Sequence, residues 1–474
     1  MRVQETIFVN GEWIPSTSSS MIDVINPATE QVIARVPDGT AEDVDAAVDA
    51  AANALGPWSQ SSLAERGRIM LAAAAGVIAR GDEIALSISE EMGKPLATAA
   101  KSEVQLVANG LTAMAEDLPK IMWEERLDNA LIVQEPVGVV GAITPWNSPL
   151  HQVSIKACAA VAAGCAVVLK PSVIAPGAAL ILTEIMAEAG LPSGVLNVVS
   201  GRGGTVGEAL TGHPRVDMVS LTGSFEAGQR VMQTASRTVK RVALELGGKS
   251  PNVLLDDLDD ATLERAVSDG VDDCLRSSGQ VCAGLTRMIV PASMVRKVEA
   301  LAVARTRAYV AGDPLDEKTT LGPVANASQY QTVREYLRIG IEEGAELIVG
   351  GLEPPDGIDC GFFVRPTIFK ADNSMRIARE EIFGPVLTII TYETDAEALA
   401  IANDSPFGLA AGVWASDEKR ARQMANHIRA GRVRINGGPL NRRAPHGGFK
   451  QSGFGREWGR HGMEEFLQTK SLLF

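Results

Sequence analysis

A thiol, a carboxylate and a side-chain amide stand where they could act together on a carbonyl group. Cys282 lies in SSGQVCAG, with Gly279 and Gly284 permitting tight turns on either side. A thiolate held in such a loop can be approached by a substrate and is a strong nucleophile. A cysteine can equally be a small inert hydrophobe, and the loop alone leaves both readings open. Glu245 ends the apolar run VALE ahead of Leu246, Gly247 and Gly248. A carboxylate on a buried strand is costly unless it is paired or functional. Burial raises its pKa toward that of a general base, and pairing with Lys249 is the alternative. Asn147 sits in TPWNSP, braced by prolines on both sides. Its amide could donate to a developing oxyanion or close an Asx-turn.

Two strand-to-helix turns, NVVSGRGGTVG and SLTGSFEAG, could each present backbone N–H groups to a phosphate. Two such turns in succession favour a dinucleotide, although neither has the G-x-G-x-x-G spacing. Lys170, in LKPS after a third strand, could hold a ribose hydroxyl or be a solvated lysine. No G-x-S-x-G or H-E-x-x-H occurs, and none of the five histidines has ligand spacing, so no metal is expected. A Cys–His hydrolase stays possible without a supporting motif.

The 474 residues carry 44 Lys and Arg against 58 Asp and Glu, a net charge of −14 that argues against a nucleic-acid partner. The stretch 425–474 reverses the sign, with nine basic residues against three acidic ones. That reversal reads as surface charge, a subunit contact or a cationic pocket wall. Five cysteines without C-x-x-C argue against a zinc site or disulfide scaffold and fit a reducing compartment, so the expected location is cytoplasmic. The first twenty residues lack a signal-peptide core. The longest apolar stretch, Ala157 to Leu169, is shorter than the roughly 20 residues of a membrane span.

These groups must be positioned by an alternating framework. Asn10-Gly11 marks a type I′ hairpin at the start. Ala-rich helices are predicted over 43–54, 63–80 and 96–118. One strand-like run, Leu131 to Thr144, leads into the Asn147 loop. Helices and apolar strands then alternate to Glu245, which predicts a parallel, doubly wound sheet binding ligands at its carboxyl edge. A second α/β unit follows from about Pro251 to Asn436.

These residues resemble the aldehyde dehydrogenase superfamily over nearly the full length, with VNGEW, PVGVVGAITPWNSP, LKPS, LTGSFEAG, LELGGKSPNVLLDD, SGQVCAG, EEIFGPVL and GGFKQSGFGRE in order. The resemblance implies an α/β fold with a doubly wound dinucleotide-binding domain (1–118 and 138–247) and a second α/β catalytic domain (248–445). A small β oligomerisation element completes it (119–137 and 446–474), with Leu472, Leu473 and Phe474 suited to joining another subunit's sheet. The implied products of assembly are homodimers or homotetramers.

The resemblance also implies a mechanism. Cys282 attacks an aldehyde to give a thiohemiacetal, whose oxyanion is held by Asn147 and the Cys282 N–H. Hydride passes to NAD or NADP, and Glu245 activates the water that releases the acid from the thioester. Lys156 and Glu457 match proton-relay positions. Ile143, Thr144, Pro145, Trp146, Lys170, Ser172, Val173, Gly203, Gly207, Thr222, Gly223, Ser224, Leu246, Gly247, Glu381 and Phe383 match the cofactor region. Ser148, Val281, Ala283 and His446 match the substrate region.

Four departures stand out. Val173 replaces the glutamate that in many NAD-preferring members holds the ribose, which implies relaxed preference with NAD slightly ahead. Ser148 and His446 replace bulky, often aromatic residues along the substrate tunnel, implying a wider, more polar pocket and a bulky or polar aldehyde. Arg442 or Arg443 could pair with a substrate carboxylate or be exposed loop arginines. The competing readings are a CoA-acylating semialdehyde dehydrogenase, which typically lacks the base at Glu245, and a non-catalytic binding member.

Overall fold

The computed structural model describes residues 2–474, so only the first position of the expected 1–118 segment lies outside it. The fold is α/β. Five parallel strands form the centre of an eight-stranded sheet, in the spatial order Arg241–Glu245, Met218–Thr222, Val139–Ile143, Ala166–Lys170 and Leu196–Val198. Their residues are almost continuously buried, as a parallel sheet covered on both faces requires. The N-terminal hairpin, Thr6–Val9 and Glu12–Pro15, continues the sheet antiparallel at one edge. Its turn has φ of +54° at Asn10 and +85° at Gly11, as a type I′ turn demands.

Register brings the functional edge into line. Ile143 pairs with Lys170, and Thr222 with Glu245, so four strands present their last residues side by side. Helices Ala41–Ser59, Leu63–Ala79 and Lys101–Asp117 occupy the expected stretches, and Gly81–Met92 adds another between them. That last helix ends on left-handed Gly93, where a Cβ would lie 2.6 Å from Pro323, and the turn delivers Lys94 to the site.

The run from Leu131 to Thr144 is not one strand. It divides into Ala130–Pro136 and Val139–Ile143, which belong to different sheets. The break is at Gly138, with φ +128°, where a Cβ would lie 2.0 Å from Asp217 Oδ2. That same oxygen accepts the Val139 N–H at 2.7 Å, so a side chain at Gly138 would collide with the group that starts the second strand.

A second sheet of seven strands has the order Glu346–Val349, Thr367–Lys370, Val386–Tyr392, Arg287–Pro291, Pro251–Leu254, Ala410–Trp414 and Arg432–Ile435. All pairs are parallel except the first. Arg287 is fully buried within it, donating to the carbonyls of Lys249, Ile401 and Ala402. Ala130–Pro136 pairs antiparallel with Glu124–Leu127 and with Leu467–Leu473 in a small outlying sheet. The stretch before that last strand goes elsewhere: Gly453–Phe454 pairs with Leu244 and Glu245, and His446 pairs with Glu457 in a two-residue antiparallel bridge.

Candidate active site

The Cys282 loop follows helix Asp260–Leu275 and is built on strained backbone. Ser277, Ser278 and Gly279 have φ of +51°, +58° and +74° in succession. Left-handed serines persist only where their surroundings hold them. Here Ser278 Oγ donates to the Gly322 carbonyl at 2.7 Å, and Gln280 bridges the Ala325 N–H and the Ser277 carbonyl. At Gly279 a Cβ would lie 2.0 Å from the Gly384 carbonyl oxygen, so this close chain crossing requires glycine. Asn147 Nδ2 donates to the Gln280 carbonyl at 3.1 Å, fixing the amide beside the thiol loop. At Gly248 a Cβ would lie 2.5 Å from the Cys282 carbonyl oxygen, so the chain following Glu245 runs directly against the same loop.

The Glu245 carboxylate, the Cys282 thiol and a ring nitrogen of His446 all lie within 4.8 Å of one another. Glu245 is 3% exposed. The alternative pairing with Lys249 is not formed; the basic neighbour is His446, whose Nε2 lies 3.1 Å from Oε1. Among the described residues Oε1 nonetheless accepts no well-aligned hydrogen bond, which leaves a buried acceptor without a donor. Cys282 is half-buried in the loop, and its thiol is pushed up to about 12, first by burial and then by the carboxylates of Glu245, Glu381 and Glu457. Cys158, Cys165 and Cys274 are buried, each also with a raised pKa, and Cys360 is exposed.

Lys156 lies on a π-helical stretch, Ser154–Cys158, and is buried. Its Nζ is 2.5 Å from Glu457 and donates to Ser220 Oγ at 3.2 Å. Burial holds the Glu457 carboxyl above its ordinary range, against the opposing pull of Lys156. The His446–Glu457 bridge sets these two residues side by side, and the His446 ring stacks on Trp458 at 4.4 Å.

The residues expected to hold a cofactor lie on the carboxyl edge or against the loops that leave it. Lys170 is 6% exposed; its Nζ donates only to the Pro171 carbonyl, and burial pulls its pKa down to about 8. A Cβ at Gly207 would lie 3.7 Å from its side chain, whereas at Gly203 a Cβ would meet nothing within 4 Å. Thr144 N–H donates to the Lys170 carbonyl. Trp146, in the same loop as Ile143 and Pro145, meets Phe383 edge-on at 5.5 Å. Phe383 is left-handed at φ +56° and is held by Gln329 Nε2, which donates to the Ile382 and Phe383 carbonyls. Glu381 accepts from the Gly248 N–H, is raised to about 7 by burial, and comes so near Gly247 that a Cβ there would lie 2.0 Å from it.

Thr222 Oγ1 is buried without a partner among the described residues. Gly223 donates to the Glu245 carbonyl and Leu246 to that of Ser452. Ser224 caps the helix Phe225–Ala235. Ser172 Oγ accepts from the Ile174 N–H, and Val173 packs against Ile22, Val24 and Val36. A buried amine with a single carbonyl partner and an orphaned hydroxyl on one edge fit a ligand rich in hydroxyls and phosphates.

A cavity of about 160 Å³ reaches the thiol, and all four expected substrate-region residues, Ser148, Val281, Ala283 and His446, line it with Asn147 and Cys282. It also contains residues that sequence reasoning did not single out for it: Lys94, His151, Arg276, Arg432 and Trp458. The excess of basic residues after 425 was the available signal for Arg432; nothing in the sequence marks Trp458. Arg442 lines the cavity, while Arg443 faces away and pairs with Glu116 and Asp117.

A family model, the aldehyde dehydrogenase family, matches residues 13–472. The chain is 47% identical to a 3-succinoylsemialdehyde-pyridine dehydrogenase from a Pseudomonas species, covering 100% of this chain and 99% of that protein. Among solved structures it is similar to aldehyde dehydrogenase C of Pseudomonas syringae, a cysteine-to-alanine mutant complexed with NAD+ and octanal. The TM-score is 0.97 at 46% identity, over 99% of this chain and 96% of that one. Betaine aldehyde dehydrogenase of Staphylococcus aureus in complex with NAD+ matches with a TM-score of 0.95 at 38% identity, over 99% of this chain and 94% of that one. A thiol and an amide line one cavity, a buried carboxylate lies within 4.8 Å of the thiol, and whole-length likeness in sequence and structure accompanies them: this chain belongs to the aldehyde dehydrogenase family.

Proposed function

We propose that this protein oxidises an aldehyde to its carboxylic acid through a thiohemiacetal and a thioester on Cys282. The observation that carries this reading is that the Cys282 thiol and the tethered Asn147 amide line one cavity, with the buried Glu245 carboxylate within 4.8 Å of the thiol. The thiol loses its proton as its sulfur bonds to the aldehyde carbon. The Asn147 amide and the Cys282 N–H hold the resulting oxyanion. Hydride loss from that carbon leaves the thioester. Glu245 then takes a proton from water, which adds to the thioester carbon and expels the thiolate. Lys156 and Glu457 pass the proton outward. One water is consumed, and two protons leave with the carboxylate.

A bound NAD or NADP supplies the hydride acceptor. Lys170, Ser224, Glu381 and Phe383 would hold it, with the turns at Gly203–Gly207 and Thr222–Ser224 against its phosphates. Val173 can neither accept a ribose hydroxyl nor repel a 2′-phosphate, so we expect both dinucleotides to serve, with NAD slightly ahead. The NAD+ complexes of similar structures support that order.

Glu245 also favours release to water over release to CoA. The five free cysteines suit a reducing, cytoplasmic setting. No helix among the described residues is long and apolar enough to cross a membrane. Exposed Met122, Leu127, Leu473 and Phe474 on and beside the outlying sheet support assembly into a homodimer or homotetramer.

The test is an aldehyde panel read by dinucleotide reduction and acid formation, with NAD and NADP in parallel and with CoA added or omitted. Wild type is expected to reduce the cofactor and release free acid regardless of CoA, and Cys282→Ala to do neither. A wild type inert toward every aldehyde, or an active Cys282→Ala variant, overturns the reading. A strong preference for NAD overturns the expectation drawn from Val173.

A further inference from the structure

We infer that the cavity selects aldehydes that carry a second, anionic group, a carboxylate above all, and that Arg432 and Arg442 recognise it. This rests on the dehydrogenase reading and names its substrate class.

The charge inventory of the cavity carries the inference. Glu103, Glu457 and Glu245, three of the carboxylates around the thiol and its cavity, each have a basic neighbour. Glu103 is paired with buried Lys94 and accepts the His151 N–H; Glu457 is paired with Lys156; Glu245 lies against His446. The arginines are not matched in this way. Among the described residues, neither Arg432 nor Arg442 has a carboxylate within ion-pair distance. Arg432 Nε is buried with no hydrogen-bond partner, and its Nη1 reaches only the ring of His446, at 3.4 Å. Arg442 lies over the Trp458 ring at 4.0 Å, and Arg432 stands 5.5 Å from the same ring.

Arg276, at the rim, has Asp273 at 3.7 Å, but Asp273 is shared with Arg434. The pKa of Arg442 is lowered to about 10, first by burial and then by repulsion from Arg432 and Arg276. Burial also holds His151 well below its ordinary range, with Arg442 the next cause. Cations crowded against one another in a partly buried cavity are stabilised by an anion placed between them, and an arginine fork matches a carboxylate. The same arrangement disfavours a cationic aldehyde, because the Trp458 face that could receive an ammonium already holds Arg442.

The experiment compares kcat/KM for ω-carboxylated aldehydes, uncharged alkanals of equal length, and betaine aldehyde. Wild type is expected to favour the carboxylated member over its alkanal by about ten- to a hundredfold, with betaine aldehyde poorest. Arg442→Met and Arg432→Met should each collapse that ratio by about tenfold or more, and Arg442→Lys should restore part of it. Alkanals oxidised as well as their carboxylated counterparts would overturn the inference while leaving the dehydrogenase reading intact. Should no aldehyde reduce the cofactor, that reading falls, and binding decides the anion site by itself. A dicarboxylate that raises Tm in wild type more than in Arg442→Met supports the site; equal shifts, or none, overturn it.

Discussion

The two ends of the cavity are built on opposite plans. At the chemical end, Cys282, Asn147 and Glu245 are set by backbone: a left-handed Ser277–Gly279 run, an amide tied to the Gln280 carbonyl, and the last residue of a central strand. Lys156 and Glu457 are paired to each other. At the recognition end, Arg432, Arg442, His446 and Trp458 are arranged by side chains on loops and an edge strand, and among the described residues the two arginines lack a carboxylate partner. Fixed backbone suits a step that is the same for every aldehyde, since misplacement of a reacting atom by about 1 Å is costly. Unmatched side-chain charge suits choice among aldehydes. The contrast predicts that changes at the first end alter turnover for all substrates alike, and changes at the second alter which substrate is taken.

The largest expected effect is at the chemical end. On the proposed mechanism, Glu245→Gln removes the acceptor for a water proton and leaves the thiol loop in place. A stoichiometric burst of reduced dinucleotide is expected, followed by turnover slowed by about a hundredfold or more. Stopped-flow measurement of burst and steady state checks it, with the same loss for charged and uncharged aldehydes. A steady state equal to wild type would remove Glu245 from deacylation.

His446 joins the two ends, and replacing it gives a smaller effect. Its Nε2 faces Glu245 while its ring stacks on Trp458 beside Arg442 and Arg432. His446→Phe restores an aromatic wall but withdraws the imidazole from the carboxylate. We expect kcat to fall by about tenfold, the cost of one charge-assisted contact, and KM for uncharged alkanals to fall as the wall becomes apolar. His446→Gln, which keeps a donor, should recover part of kcat without the change in KM. Unchanged kcat in His446→Phe would make the imidazole part of the recognition end alone.

The chemical end was the more legible in sequence, for a physical reason. Local features announce it: an acidic residue closing an apolar strand, an asparagine between prolines, glycines around a cysteine. The carboxyl edge follows from alternating strands and helices. Other features depend on contacts distant in sequence. The break at Gly138 exists because Asp217 occupies the space a side chain would need. The left-handed serines before Gly279 depend on Gly322 and Gly384. Arg432 and Arg443 look alike as basic residues; only the fold decides that one has no described acid within ion-pair distance and the other has Glu116 and Asp117. Composition after residue 425 registers the excess charge and cannot say which arginine faces the cavity.

The smallest effect tests whether both ends act on one atom. The Cys282 thiol stands near 12 because burial and three carboxylates disfavour the thiolate, while Arg432 favours it. Below its pKa, the thiolate fraction rises about tenfold per pH unit, and alkylation follows the thiolate. In the cofactor-free protein, alkylation of Cys282 by iodoacetamide should therefore climb through pH 7 to 9 without the plateau of an ordinary thiol near 8.5. Glu245→Gln removes a group that raises the pKa, so the thiolate fraction grows and alkylation at pH 8 should quicken several-fold. Arg432→Met removes a group that lowers it, so alkylation should slow. Opposite signs from the two variants, read by mass spectrometry at the Cys282 peptide, would place the thiol between an acidic and a basic wall. A plateau near pH 8, or acceleration in Arg432→Met, would mean that the recognition end does not reach the nucleophile, and the two ends would then be independent.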